Sequence, residues 1–82
     1  MTMIKHVHHP KYKALVEWLI TARKEQKLTA RQLAALIDEP FQFVSKIETR
    51  QRKLNVFEYW QYCRALNLDP SEGLKIMGTA ED

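Results

Sequence analysis

Glycine, proline and cysteine are all scarce in this 82-residue chain, which has two, three and one of them. Gly73 and Gly78, with Pro10, Pro40 and Pro70, leave too little turn chemistry for a sheet built of several hairpins, so helices are expected. Cys63, being single, has no partner for an internal disulfide. Apolar runs such as "ALV" and "AALI" fall far short of the roughly 20 residues that cross a membrane, and "MTMIKHVHHPKYK" lacks the continuous apolar segment of a secretory signal. These absences predict a soluble cytoplasmic protein with no membrane association. No Ser-His-Asp or Cys-His arrangement, glycine-rich phosphate loop or carboxylate pair stands out, so neither an enzyme nor a cofactor is expected.

With 45% apolar and 28% charged residues, the composition is that of a globular chain. A chain this short buries only about 60% of its extended surface, so residues 1–82 are expected to share one core as a single domain, with 1–10 a flexible arm and 79–82 a flexible tail. The net charge of +3 is compatible with a polyanionic partner without requiring one.

Helical spacing organises the rest. From Tyr12 to Lys27, Leu15, Trp18, Leu19 and Ala22 recur at intervals of three and four. Leu28 breaks that register, and Thr29 is suited to cap a second helix over about Ala30 to Ile37, with Leu33, Ala34, Leu36 and Ile37 inward. "DEP" stops it, because a residue before proline disfavours helical angles, and Pro40 suits the first turn of a third helix. That helix, Phe41 to Glu48, turns Val44 and Ile47 inward. "TRQRK" is an exposed connection. Asn55 caps a fourth helix, in which Val56, Trp60, Cys63 and Leu66 follow helical spacing. Trp60 fits the core, and since Phe57, Tyr59 and Tyr62 cannot all share its face, some of them are left for a partner surface. A fifth helix runs from Pro70 to before Gly78. The predicted class is all-α, a compact five-helix bundle.

Ala30 to Thr49 forms one bihelical unit: Leu33 and Ile37 inward, small Ala34 where two steeply crossed helices touch, a tight turn at Asp38 to Pro40, then Val44 and Ile47. Together with Leu19, Arg23, Leu28, Thr29, Ser45, Glu48, Arg52, Ala65 and Leu66, this pattern resembles the Cro-type phage-repressor, or XRE, family of helix-turn-helix regulators. The resemblance covers roughly Leu15 to Ser71. It implies a lambda-repressor-like domain whose third helix enters the major groove of double-stranded DNA, usually as a homodimer on a two-fold symmetric operator.

On that helix Gln42, Ser45, Lys46 and Thr49 lie largely outside the core and become the readers; a glutamine amide both donates to and accepts from adenine, and a lysine reaches guanine acceptors or a phosphate. Phe41 stands where the family often carries a polar reader. Either its ring packs into the protein or it meets a thymine methyl. Arg50, Arg52 and Lys53 lie where the family's loop follows the DNA backbone, and Thr29 and Arg31 can hold the opposite phosphates; taken alone, "RQRK" reads as a solvated charged loop, and its position after this helix pair is what points to DNA. The family pairs Arg23 with Glu48, and that pair is structural.

The chain departs from the family pattern at Asp38 and Arg50, where glycines are usual, and at Glu39, where an apolar residue is usual. "HVHHP" gathers His6, His8 and His9, yet with Cys63 on an apolar face no metal site is assigned; with Lys5, Lys11 and Lys13 the arm is instead placed to follow DNA. The leading expectation is a homodimeric transcription regulator. Its alternatives are an antitoxin that also neutralises a toxin partner, and a domain that keeps the fold without reading DNA.

Overall fold

Side chains that accept backbone N–H groups start four of the helices. His9 Nδ1 accepts from Lys11, Thr29 Oγ1 from Gln32, Asn55 Oδ1 from Glu58 and Asp69 Oδ1 from Ser71, at 2.8–3.1 Å. Thr29 and Asn55 do so within complete capping boxes, closed by Gln32 and Glu58. In a computed structural model, which describes residues 8–80, these caps open α1 (Pro10–Glu25), α2 (Ala30–Leu36), α4 (Val56–Leu66) and α5 (Pro70–Thr79). The remaining helix, α3 (Phe41–Glu48), begins after Pro40, which stands at the cap position itself and supplies no side-chain acceptor.

The first four helices end by one rule. Lys27, Asp38, Arg50 and Asn67 have φ of 57–60°, the left-handed region. Each sits in a pair of bonds that closes a helix: Leu28 N–H to Arg23 O with Lys27 N–H to Lys24 O, and the same pattern at Glu39/Asp38, Gln51/Arg50 and Leu68/Asn67. These are Schellman closures made without glycine. Asp38 and Arg50 thus adopt the conformation usually given to the glycines they replace.

The core lies where α1, α2, α3 and α4 meet, with Leu15, Leu19, Leu33, Ala34, Phe43, Val44, Ile47, Tyr62 and Leu66 in one cluster. Ala34, on α2, is buried in that cluster. At Gly73 a methyl group would collide with the Tyr59 hydroxyl, Leu15 and Trp18, so α5 lies close against α1 and α4 because that residue has no side chain.

Several expected positions are corrected. Leu36 points outward, 59% exposed, because seven-residue α2 turns Leu33, Ala34 and, just past its end, Ile37 to the core. Trp60 is 45% and Val56 86% exposed. The inward face of α4 is instead Tyr59, Tyr62, Cys63 and Leu66, at the i, i+3, i+4, i+7 spacing of one helix face. α5 runs through Gly78, and α1 begins at Pro10 and ends at Glu25. Lys5, His6 and most of the expected arm lie outside the described residues, as do residues 81–82.

Candidate nucleic-acid interface

Helix α3 has two chemically distinct sides. Phe43, Val44 and Ile47 are buried against the core, while Gln42 and Lys46 are exposed and Ser45 is half-buried. Gln42 and Lys46 stand four residues apart and so share a face one turn apart. Phe41, the first residue of α3, is half-buried, and the Arg31 guanidinium from α2 lies 4.4 Å from its ring centroid. Thr29 uses its hydroxyl to cap α2 and remains exposed beside Arg31.

The helix is pinned at its far end. Arg23 Nε and Nη2 donate to the two carboxylate oxygens of Glu48 at 2.6 and 3.0 Å, and Nη1 donates to Leu28 O at 2.7 Å. Both side chains are mostly shielded, with 12% and 16% of their area exposed. One guanidinium therefore ties α1, the loop before α2 and the last residue of α3 into one unit, with the planar two-point geometry that arginine gives a carboxylate.

A second two-point pair holds the loop that follows. Arg52 Nη1 and Nη2 donate to Glu58 at 2.7 Å each, and the guanidinium lies 4.7 Å from the Phe43 ring centroid. Tyr12 bridges the same loop, donating to Arg52 O at 3.3 Å and accepting from Leu54 N–H at 3.1 Å. Its phenol is pushed up by burial, opposed by the Leu54 bond. Hydrogen bonding to Arg52 holds the Glu58 carboxyl below the usual carboxylate range, and the Arg52 guanidinium is raised in turn, chiefly by Glu58. Glu39, in the α2–α3 turn, adds to that rise, so the turn's negative charge is partly answered by Arg52. Lys53 is exposed and Arg50 half-buried along this loop.

The structure thus sets Phe41, Gln42, Ser45 and Lys46 on or beside one face of α3, Thr29 and Arg31 at the start of α2, and Arg50, Arg52 and Lys53 in the loop after α3. Tyr12 and Glu58 went unnoticed in the sequence. Glu58 had a local signal, the capping box "NVFE"; Tyr12 had none, since it meets the loop forty residues away. Cys63 is fully buried, and burial pushes its thiol up; His9 is spent on the α1 cap, and His6 lies outside the described residues. Among the described residues no group of three His, Cys, Asp or Glu side chains is placed to hold a metal, and no helix is long and apolar enough to cross a membrane.

A family model described as helix-turn-helix matches residues 19–73. The chain therefore belongs to the helix-turn-helix family of DNA-binding transcription regulators. Within it the chain is of the XRE type: a solved XRE-family like protein from Pseudomonas syringae pv. tomato str. DC3000 shares 36% identity, with 90% of each chain covered and a TM-score of 0.80. The clp gene regulator ClgR from C. glutamicum has the same fold at 20% identity, covering 83% of this chain and 88% of that one, with a TM-score of 0.73. No curated protein sequence matches the chain.

Proposed function

We propose that the chain is a sequence-specific regulator that binds an inverted-repeat operator in double-stranded DNA as a homodimer. One observation carries this reading: α3 exposes Gln42 and Lys46 one turn apart while the Arg23–Glu48 pair fixes its other end to the scaffold. A reading helix needs such anchoring, because a bidentate amide contact with adenine tolerates little displacement. Gln42 is assigned to adenine, Lys46 to guanine or a phosphate, and Ser45 to a short-range contact. Arg50 and Lys53 on one flank, and Thr29 and Arg31 on the other, take phosphates. Arg52 adds its charge to the same field while its two-point bond to Glu58 shapes the loop.

The second copy is assigned to the outer face of α4. Phe57 and Trp60 stack there, 5.8 Å between centroids, beside exposed Val56 and Leu36, and a groove of about 440 Å³ runs between the end of α2 and α4. Asp38 and Arg64 line it, opposite charges suited to pairing across a two-fold axis. Selection of bound sequences from a random DNA pool tests the proposal. Enrichment of an inverted repeat with half-site centres about one helical turn apart is expected; no enrichment at all contradicts it.

A further inference from the structure

Phe41 is neither in the core cluster nor among the partly buried apolar residues packed against it. Its ring is held instead by Arg31, whose guanidinium carbon sits 4.4 Å from the ring centroid. As the first residue of α3, it lies beside exposed Gln42 at the end of the helix from which helix-turn-helix proteins contact bases. A phenyl ring carries no donor and no acceptor. The major-groove edge of every base presents a donor, an acceptor or both, and thymine alone adds a methyl group, at C5. A ring set against one of those donors or acceptors would remove water from a polar atom and return nothing.

We propose that Phe41 reads the C5-methyl group of a pyrimidine. It therefore selects thymine at one position of each half-site, and it accepts 5-methylcytosine there because that base carries its methyl at the same carbon. The site then distinguishes methylated from unmethylated cytosine. Arg31 acts as the positioning residue: its cation covers the ring and holds it at the mouth of α3, and its edge N–H groups remain available to a phosphate. This inference rests on the DNA-reading function proposed above.

The test uses the full chain and the operator recovered from the random pool. Each thymine of a half-site is replaced in turn by deoxyuridine, which removes only the methyl, and the critical one also by cytosine and 5-methylcytosine, with affinities read by fluorescence anisotropy. At one thymine, deoxyuridine should weaken binding on the order of fourfold, the factor expected for one buried methyl group. At that position 5-methylcytosine should bind more tightly than cytosine. Phe41→Ala should bind thymine and deoxyuridine operators equally, and Phe41→Leu, which keeps apolar surface, should retain part of the preference. Indifference to deoxyuridine at every thymine overturns the inference, as does a thymine preference that survives in Phe41→Ala. A pool with no enriched sequence overturns the regulator reading together with it, whereas an enriched but methyl-indifferent operator overturns the role of Phe41 alone.

Discussion

Arg23 ties the last residue of α3 to the rest of the fold. Its guanidinium divides its hydrogen bonds between Glu48 and the Leu28 carbonyl, and little of either charged side chain is in water. A mostly buried charge that loses its partner keeps its desolvation cost and loses its compensation. Glu48→Leu alone is therefore expected to destabilise the fold by about 3 kcal/mol, while Arg23→Met with Glu48→Leu costs much less, as urea denaturation of the two variants would show. Equal losses in both would mean that packing, not charge, sets the cost. In the sequence this pair was named by resemblance to a family. Nothing local marks two residues 25 positions apart as neighbours, and only the crossing of α1 and α3 brings them to one another.

Single elements carry the clearest conflict between stability and function. Arg50 closes α3 at φ 58°, where an L-residue with a Cβ costs roughly 1–2 kcal/mol and glycine costs almost nothing. Glycine's extra freedom in the unfolded chain offsets part of the difference. Arg50→Gly should raise stability by about 0.5–1 kcal/mol in urea titrations while weakening DNA binding; a loss of stability would show that the arginine side chain stabilises the loop by more than its backbone costs. The start of α4 makes a pH prediction. Glu58 caps that helix and binds Arg52, and its folded-state pKa lies below the ordinary value of about 4.3. Such a group contributes stability that is complete above the unfolded pKa and is lost as pH falls through the folded one. The stability difference between the wild type and Glu58→Gln should hold steady down to about pH 5 and shrink below about pH 4. A difference that has not shrunk at all by pH 3 would assign the effect to packing.

Caps and stops were legible in the sequence because their chemistry is local: Thr29 and Asn55 each act on an N–H three residues on. Facing was less legible. Phe43 and Tyr62 are buried whereas Leu36 and Trp60 are exposed, and helices of seven to eleven residues show too few turns for hydropathy to separate two adjacent apolar stripes. In the sequence Tyr62 is one of three aromatics that cannot all share the face of Trp60, and its hydroxyl is buried without a hydrogen-bond partner among the described residues.

At the scale of the whole molecule the described residues extend 38 × 25 × 20 Å. Half-sites one turn apart lie about 34 Å from centre to centre, a spacing that only the longest of these three extents approaches, so the proposed dimer requires its two copies to lie along that axis. Phe57→Glu with Trp60→Glu, both at exposed positions, should leave the helical content unchanged, give a monomer by light scattering, and abolish tight operator binding; a variant that remains dimeric would move the interface to another face. The central claim, that α3 reads and its flanking loop clamps, is tested most directly by the ratio of affinities for the operator and a scrambled duplex, measured across salt. Gln42→Ala with Lys46→Ala should collapse that ratio toward one, whereas Lys53→Ala should weaken both duplexes alike and reduce the salt slope by about one. A ratio unchanged in the double variant would contradict it.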